Sequence, residues 1–193
     1  VVPTDTDGFS APLIHRKVSL RASVTSELVL DGVRLPADAV LPGVSGMRGP
    51  LSCLNEARFG ISFGACGAAR ACYESALAYS LDRRQFDRPI ASFQLTQRKL
   101  VEMMVKVQRG TLVAMHLGRM KDAGTLTTPQ VSFAKMDNVR MALEVAREAR
   151  SVLGANGITT EYPVIRHMNN LESVYTYAGT NEIHTLILGN AIT

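Results

Sequence analysis

From residue 51 onward, apolar residues recur at intervals of three and four, which is the spacing of amphipathic helices. We predict long helices over about 51–80, 93–121 and 130–153, and shorter helices that begin near Pro163 and after Thr180. A composition rich in Ala, Leu, Val and Met, with no Trp, favours helix over sheet. Because helices with apolar faces bury them best against one another, the spacing predicts a helical bundle.

The predicted helices differ in their apolar surfaces. The first is apolar on most faces, so we expect it to lie centrally in the bundle. The glycines of this helix are expected to permit close backbone approach; they are Gly60, Gly64 and Gly67. The expected buried stripe of the second helix is Leu100, Met103, Met104, Val107 and Met115. The expected stripe of the third helix is Val131, Val139, Ala142, Leu143, Ala146 and Val152.

Local signals predict where three helices end or begin. Gly154 and Gly157 follow the third helix, and glycine readily takes the left-handed conformation of a C-terminal cap. Pro163 suits a first helical position. Thr180 suits an N-cap, with Glu182 favourably placed in the first turn of the last helix.

The beginning of the chain has strand character instead. Segments 17–23 and 27–36 alternate apolar and polar residues, which is the period of a half-buried strand. The Asp31-Gly32 pair predicts a tight hairpin turn that leads to the next extended piece. Residues 43–50 are rich in Gly and Pro and predict a linker to the helices.

Charge and cysteine content disfavour several classes of protein. The net charge is +4, and Lys and Arg are scattered among acids rather than clustered with aromatic residues, so we expect no nucleic-acid partner. Cys53, Cys66 and Cys72 lack paired spacing, which predicts buried thiols in a reducing compartment rather than disulfides or a metal site. No uncharged run reaches the ~20 residues of a membrane span, so we expect no membrane insertion.

No common catalytic motif identifies an activity. The sequence has no Ser-His-Asp arrangement, no paired Cys or His ligands and no Walker loop. The dispersed histidines are each interpreted as structural; they are His15, His116, His167 and His184. The residues alone therefore predict a helical bundle with a β extension and no particular function.

Six ordered motifs carry a resemblance to a known family. They are LRASVTSELVLDGVRLP (20–36), NEARFGISFG (55–64), DRRQF (82–86), QLTQRKLVEM (94–103), GANGITTEYPVIRHMNNLE (154–172) and YAGT (177–180). Together they resemble the acyl-CoA dehydrogenase family. Within it, LESVYTY from Leu171 and IHTLILGNAIT from Ile183 are most similar to glutaryl-CoA dehydrogenase.

The resemblance implies a mainly α fold, with a C-terminal four-helix bundle of acyl-CoA dehydrogenase type preceded by the last strands of a β-domain. Residues 1–43 then form the end of the middle β-domain, and residues 50–193 form the bundle that serves FAD and acyl-CoA binding and oligomerisation. The family's N-terminal helical domain has no counterpart here. Val1 is not an initiator Met and Thr193 ends within a helical pattern, so we expect a fragment of a longer chain.

The family's chemistry needs a carboxylate base, which takes an α-proton from an acyl thioester while a hydride passes from the β-carbon to FAD. The usual base is the Glu of a Tyr-Glu-Gly-Thr turn, and the matching residue here is Ala178. Some relatives place the base on the first bundle helix instead, and the matching residue there is Ala57, just before Arg58. Glu56 is adjacent, but one residue along a helix turns ~100°, so we expect it to face elsewhere. The resemblance therefore marks a catalytic position without a base.

The resemblance also implies binding residues. Arg83 and Phe86 match a loop that reaches the FAD pyrophosphate of a neighbouring subunit, where arginine suits a phosphate. The other FAD positions are Gln94, Ser151, Ala155, Thr180 and Glu182, and the positions on the flavin and thioester side are Arg58, Tyr177 and Gly179. The implied partners are an acyl-CoA substrate, further copies in a homotetramer, and an electron-transfer flavoprotein. The implied location is the bacterial cytoplasm, or the mitochondrial matrix of a eukaryote.

Several of these positions depart from the family pattern. Ser151 replaces an acid or Gln, Ala155 replaces Gly or Ser, Asp87 replaces Gly, and Asn190 replaces a common Arg. Because these departures occur together, we favour a natural divergent paralogue over a laboratory Glu→Ala change. Three hypotheses stay open: a flavin-dependent acyl-CoA dehydrogenase, a degenerate bundle kept for assembly or acyl-CoA binding, and a helical interaction module unrelated to flavin.

Overall fold

The computed structural model describes residues 1–193, and five α-helices dominate it. They are α1 (Arg48–Asp82), α2 (Gln94–Asp122), α3 (Thr128–Leu153), α4 (Val164–Thr176) and α5 (Asn181–Ile192). The four strands have two residues each: β1 (Phe9–Ser10), β2 (Val29–Leu30), β3 (Arg84–Gln85) and β4 (Arg88–Pro89). The predicted mainly α fold is confirmed, and helix boundaries lie within about three residues of their predicted positions.

The central helix is α3, which packs against the other four helices. It contributes 13 buried residues, compared with 8 from the longer α1, so the prediction that α1 is central was wrong. The predicted apolar stripe of α3 is buried except for Val152, which packs against the core from its edge. A capping box between Thr127 and Gln130 starts α3, and Gly154 ends it at a φ of 60°.

The buried face of α2 follows a regular seam, which consists of Leu100, Met103, Val107, Gly110, Ala114 and Leu117. Met104 and Met115 are 40% and 49% exposed, so their assignment to the buried stripe was wrong. Each lies one position beyond a seam residue, and one residue turns the side chain ~100° around the helix.

The glycine that permits close packing is Gly110 on α2 rather than the glycines of α1. A Cβ at Gly110 would lie 2.5 Å from Met141 Cε and 3.0 Å from Asn138 Oδ1. The amide nitrogen of Asn138 donates hydrogen bonds to the carbonyls of Ser62 and Gly110 at 3.0 and 3.2 Å, which joins α3 to α1 and α2. Nothing lies within 4 Å of a Cβ built at the three glycines predicted to permit close approach on α1, so that prediction was wrong.

The first 43 residues contain far less strand than predicted. In the antiparallel pair β1–β2, Phe9 lies opposite Leu30, and the turn at Asp31-Gly32 follows β2 without leading into another strand. Segment 17–23 is a loop, because Lys17 Nζ donates hydrogen bonds to carbonyls and a hydroxyl across it. The loop is fastened to α4, where Asn170 Oδ1 accepts a hydrogen bond from the Leu20 N–H at 2.7 Å.

Cysteine placement departs in one position from the prediction of buried thiols. Cys66 and Cys72 are buried on α1, and all three cysteines are free thiols. Cys53 is exposed on the first turns of the same helix, so its predicted burial was wrong. None of the helices combines the length and the apolar character that a bilayer span requires.

Candidate functional site

The turn between α4 and α5 has an unusual backbone. Ala178 and Gly179 have φ values of 55° and 100°, in the left-handed region that side chains with a Cβ rarely adopt. Thr180 then caps α5 by accepting a hydrogen bond from the Ile183 N–H at 3.4 Å. The predicted N-cap is therefore present, and the turn holds residues 177–180 between two helix ends.

Two buried cations, one from α1 and one from α3, contact this turn from the interior of the bundle. Arg58 of α1 donates from Nε to the carbonyl of Ala178 at 2.7 Å. Lys135 of α3 donates from Nζ to the carbonyls of Gly179 at 2.9 Å and Tyr175 at 3.4 Å. Their residues are only 5% and 1% exposed, and neither belongs to an ion pair. The turn is therefore fixed by two positive charges with no carboxylate partner.

The third ionisable group at this turn is His184 of α5. It is completely buried, and its ring lies against the backbone of Gly179 without a well-aligned hydrogen bond at either nitrogen. A Cβ on Gly179 would lie 3.1 Å from His184 Nε2 and 3.0 Å from Arg58 Nη2. Position 179 therefore has to be glycine for two reasons, its φ of 100° and the lack of space.

The three ionisable groups at the turn, Arg58, Lys135 and His184, all have lowered pKa values. Burial, and then the nearby Arg58, lower the pKa of Lys135 to about 8. Burial, then Lys135 and Arg58, lower the pKa of His184 to about 4, so the imidazole is neutral at neutral pH. Burial also lowers the pKa of Arg58. In place of a carboxylate, backbone carbonyls partner the two cations, and the Tyr175 carbonyl in the last turn of α4 is one of them.

The carboxylate at the turn is that of Glu182, which interacts with the Thr180 side chain at the exposed start of α5. Ala178 and Ala57, the two positions at which the resemblance implies a base, carry methyl groups. Glu56 Oε2 lies 2.5 Å from Lys121 Nζ of α2, in an exposed ion pair. Glu56 therefore faces away from the buried Arg58, as expected from the helical rotation between them. The buried groups around the turn are two cations and one neutral imidazole.

An apolar groove lies beside the turn, between α1 and α4. Its cavity volume is about 310 Å³. The lining residues are Ile61, Gly64, Ala65, Ala68, His167, Asn170, Leu171, Val174 and Tyr177. Tyr177 is 45% exposed at the mouth of the groove, and partial burial raises the pKa of its hydroxyl. Gly64 therefore leaves space for the groove, and no other helix packs closely against it.

A second group of predicted residues lies on the hairpin β3–β4. Its two-residue turn places Phe86 and Asp87 at φ values of 52° and 64°, the conformation of a type I′ turn. Phe86 is 86% exposed, and its ring stands edge-on to Phe93 at 6.1 Å between centroids. The guanidinium of Arg88 lies 4.1 Å from the centroid of the Phe93 ring. The Asp87 substitution therefore matters for backbone conformation as well as for charge.

The remaining predicted FAD positions fall into two groups. Gln94 begins α2, Ser151 accepts a hydrogen bond from Lys99 Nζ at 2.9 Å, and Ala155 is exposed in the 3-10 turn after α3. Glu182 lies in the first turn of α5, where backbone hydrogen bonding and Thr180 lower its pKa. Gln94, Ser151 and Ala155 thus lie at the hairpin end of the bundle, where Asn156 also contacts Tyr79 of α1, whereas Glu182 lies at the turn.

The β3–β4 hairpin and the 177–180 turn lie near opposite ends of α1. Arg58 is on the third turn of α1, and Arg83 follows the end of the same helix. Twenty-five residues of helical rise place their backbones ~37 Å apart. The structure thus brings Arg58, Tyr177, Ala178, Gly179 and Thr180 together and leaves Arg83, Phe86 and Gln94 at the far end.

Sequence reasoning missed Lys135 and overlooked His184 as a site residue. A signal for Lys135 was present, because it lies four residues after the buried Val131 and four before the buried Val139. A lysine on the apolar stripe of a central helix indicates a buried charge that needs partners. His184 gave a weaker signal, as a single histidine in the apolar sequence of α5.

Comparison with known proteins identifies the class. The profile described as "Acyl-CoA dehydrogenase, C-terminal domain" matches residues 45–193, so the chain belongs to the acyl-CoA dehydrogenase family. The chain is 35% identical over 175 residues to the glutaryl-CoA dehydrogenase of Desulfococcus multivorans, which covers 89% of this chain and 45% of that protein. The resemblance inferred from the motifs is confirmed.

Solved structures agree with this assignment. The crystal structure of glutaryl-CoA dehydrogenase from Mycobacterium smegmatis matches with a TM-score of 0.98 and 66% identity, over 100% of this chain and 50% of that one. A second glutaryl-CoA dehydrogenase structure from the same organism, in complex with FADH2, matches with a TM-score of 0.97 and 59% identity over the same shares. The chain spans about half the length of the curated relatives it matches.

Proposed function

We propose that the protein containing this chain is an FAD-binding, acyl-CoA-binding member of the family, similar to glutaryl-CoA dehydrogenase, whose usual glutamate base is replaced by Ala178. The observation that carries this proposal is the 177–180 turn. Arg58 and Lys135 hold its backbone, yet residue 178 carries a methyl group, and the carboxylate nearest in the chain, Glu182, lies exposed at the start of α5 beside Thr180. The architecture of the site is retained while its base is missing.

The residues present fit FAD. The Arg83 side chain is exposed and has no hydrogen-bond or ion-pair partner in the chain, so its guanidinium is available to a phosphate. The exposed Phe86 ring offers a stacking surface, and Gln94, Ser151, Ala155, Thr180 and Glu182 complete the proposed FAD positions. FAD held there would supply a hydride acceptor for the β-carbon of the substrate.

The groove beside Tyr177 supports an acyl-thioester ligand. Its walls come largely from aliphatic residues of α1 and α4, which suits an acyl chain. At its mouth the turn supplies backbone groups fixed by Arg58 and Lys135. The methyl group of Ala178 cannot accept the α-proton, and loss of general-base catalysis typically lowers a rate by ~10²–10⁴-fold. The dehydrogenation proposed for this protein is therefore slow.

A degenerate, binding-only role is the second candidate. It is favoured by the methyl groups at residues 178 and 57, where the resemblance implies a base. On this alternative the protein binds FAD and acyl-CoA, or serves in oligomeric assembly, without turnover. The third hypothesis, a helical module unrelated to flavin, loses its basis because the chain belongs to the acyl-CoA dehydrogenase family.

The partners follow from the same geometry. The ~37 Å between Arg58 and Arg83 along α1 supports a shared FAD site, in which one copy supplies the turn and another supplies the hairpin. Exposed apolar side chains of α2, including Leu95, Val101 and Leu112, support contact with further copies in a homotetramer. An electron-transfer flavoprotein is the proposed acceptor of electrons from the reduced flavin.

Restoring the carboxylate tests the function. In the full-length protein we expect a yellow, flavin-containing sample that reduces an artificial dye slowly with acyl-CoA substrates. Ala178→Glu should raise the rate by ~10²-fold or more, whereas Ala178→Gln, of similar size but uncharged, should not. A colourless protein that takes up no added FAD contradicts flavin binding, and a silent Ala178→Glu variant across several acyl-CoAs contradicts the lost-base account.

A further inference from the structure

The groove between α1 and α4 leads away from the 177–180 turn along both helices. On α4 its lining extends from Tyr177 back to His167, and on α1 it extends from Ile61, just beyond Arg58, to Ala68. Residues 167–177 and 58–68 each correspond to ~15 Å of helical rise. An extended acyl chain advances ~1.3 Å per carbon–carbon bond of ~1.5 Å. A chain whose thioester lies at the turn therefore has room for about eight carbons and an end group.

Two polar side chains interrupt the aliphatic lining of the groove away from its mouth, Asn170 and His167. Oδ1 of Asn170 accepts a hydrogen bond from the Leu20 N–H at 2.7 Å, but Nδ2 of the same amide donates none within the chain. The imidazole of His167 also has no hydrogen-bond partner in the chain, because its backbone N–H makes the only bond of that residue. A purely aliphatic ligand would remove these groups from water without pairing them, which is unfavourable.

The loop of residues 17–23 fixes the orientation of the Asn170 amide. Its Leu20 N–H occupies the amide oxygen, and one turn further along α4 the hydroxyls of Ser19 and Ser173 share a hydrogen bond at 2.6 Å. The oxygen of Asn170 is thus held against the loop, and the Nδ2 hydrogens remain for a ligand. An N–H donor calls for a hydrogen-bond acceptor.

The charge of the groove limits which acceptor it suits. None of its nine lining residues is an acid, a lysine or an arginine. Burial, and then the neighbouring Arg166, lower the pKa of His167, so its imidazole is neutral at neutral pH. Because a carboxylate that leaves water without a cationic partner is strongly disfavoured, the lining suits a neutral acceptor better than a terminal carboxylate.

We propose that Asn170 is a specificity-determining residue: its free Nδ2 donor selects an acyl chain of about eight carbons that carries a neutral hydrogen-bond acceptor, such as a ketone oxygen, near its end. The inference rests on the function proposed above, since it places the acyl chain in the groove. It names the substrate class of that site as oxo-substituted acyl thioesters rather than dicarboxylic ones.

Three CoA thioesters of equal chain length test the end group: octanoyl-CoA, 7-oxooctanoyl-CoA and suberyl-CoA, which end in a methyl group, a methyl ketone and a carboxylate. Isothermal titration calorimetry on the full-length, FAD-loaded protein at neutral pH gives each Kd. We expect 7-oxooctanoyl-CoA to bind ~5–10-fold more tightly than octanoyl-CoA, the effect of one additional neutral hydrogen bond, and suberyl-CoA to bind more weakly than octanoyl-CoA. Equal Kd values for the first two, or tightest binding of suberyl-CoA, would overturn the inference.

Variants at Asn170 assign the preference to its amide. Asn170→Asp keeps an oxygen for the Leu20 N–H and removes the Nδ2 donor, and Asn170→Leu removes both without adding charge. Each should reduce the preference for 7-oxooctanoyl-CoA over octanoyl-CoA to about onefold. Asn169→Leu is the matched control, because Asn169 lines the cleft beside the 17–23 loop but not the groove, and it should keep the preference.

The ratio of the two Kd values separates specificity from folding. A merely structural Asn170 would weaken both ligands equally and leave the ratio unchanged in its variants, which would overturn the inference. If the unaltered protein binds octanoyl-CoA without preferring the ketone, the inference alone fails. If it binds none of the three thioesters, the proposed function fails, and the inference fails with it.

Discussion

The 177–180 turn and the β3–β4 hairpin share a backbone feature but support it differently. Each places two neighbouring residues at positive φ, Ala178 and Gly179 in the turn and Phe86 and Asp87 in the hairpin. In the turn, cations from α1 and α3 reach the carbonyls from inside the bundle. In the hairpin, the Arg84 side chain reaches the Asp87 carbonyl at the surface.

The position of the turn depends on contacts across the whole bundle, whereas that of the hairpin does not. Three helices contribute to the position of the turn, so a disturbance there affects the packing of α1, α3 and α5 together. The hairpin depends on contacts within a few residues of itself, so a change there stays local. Substitutions in the two regions should therefore have effects of very different size.

The largest effect is expected from Gly179→Ala. The new Cβ meets Arg58 and His184 at close range, and the φ of 100° is unfavourable for alanine. We expect the free energy of unfolding to fall by about 3 kcal/mol, measured by urea denaturation. Gly124→Ala is the matched control, because Gly124 has a φ of 67° but open space around its Cβ position. A similar loss in both variants would refute the special role of the turn's surroundings.

The second-largest effect on stability is expected from lowering the pH, which protonates His184 beside the turn. The pKa of His184 is about 4 in the folded protein and about 6.5 when unfolded, so the unfolded chain binds more protons between these values. Stability is therefore lost as the pH falls below about 6.5, by on the order of 2 kcal/mol at pH 5. Urea denaturation at pH 7 and pH 5 measures this loss. His184→Gln should reduce the difference between the two pH values, whereas His15→Gln, at an exposed histidine, should not; equal differences would contradict the account.

A smaller change is expected for Lys135→Met. At pH 7 the removal of an unpaired buried charge offsets the lost hydrogen bonds, so the free energy of unfolding should change by no more than about 1 kcal/mol. The pKa of Lys135 is lowered to about 8, so the unfolded protein binds the extra proton between about pH 8 and 10.5. The unaltered protein should thus gain stability relative to the variant from pH 8 to pH 10. A constant difference over that range would contradict the burial of a charged lysine.

The smallest effect belongs to the hairpin. Asp87→Gly relieves the left-handed conformation at an exposed position and should raise the free energy of unfolding by less than about 1 kcal/mol. Thermal unfolding of the two proteins side by side measures it. A destabilisation larger than that of Gly179→Ala would reverse the comparison between the two regions.

The sequence predicted the helices well because their signals are local. Apolar spacing marked α1 to α5, and Thr180 marked the N-cap of α5. The strand predicted at 17–23 failed because alternation alone does not supply a pairing partner. There the Lys17 ammonium closes a loop, and Leu20 adopts a φ of 48° that no strand contains.

The site was only partly predictable from the sequence. Ala178 was selected only because residues 177–180 resemble a turn of the family, and its role stays a prediction. Lys135 lies 40 or more residues from Tyr175 and Gly179 in the chain, and the contact depends on how α3 packs against the α4–α5 turn. A side chain's partners across a bundle are not encoded in local spacing, so the buried cations emerge only from the structure.

Exchange of the α-hydrogens of a saturated acyl-CoA with heavy water most directly tests the claim that the turn lacks a base. The full-length, FAD-loaded protein is incubated with butyryl-CoA, and deuterium uptake is followed by mass spectrometry. We predict uptake no faster than in buffer for the unaltered protein and rapid uptake for Ala178→Glu. Rapid uptake by the unaltered protein would show that another group takes the proton and would contradict the account.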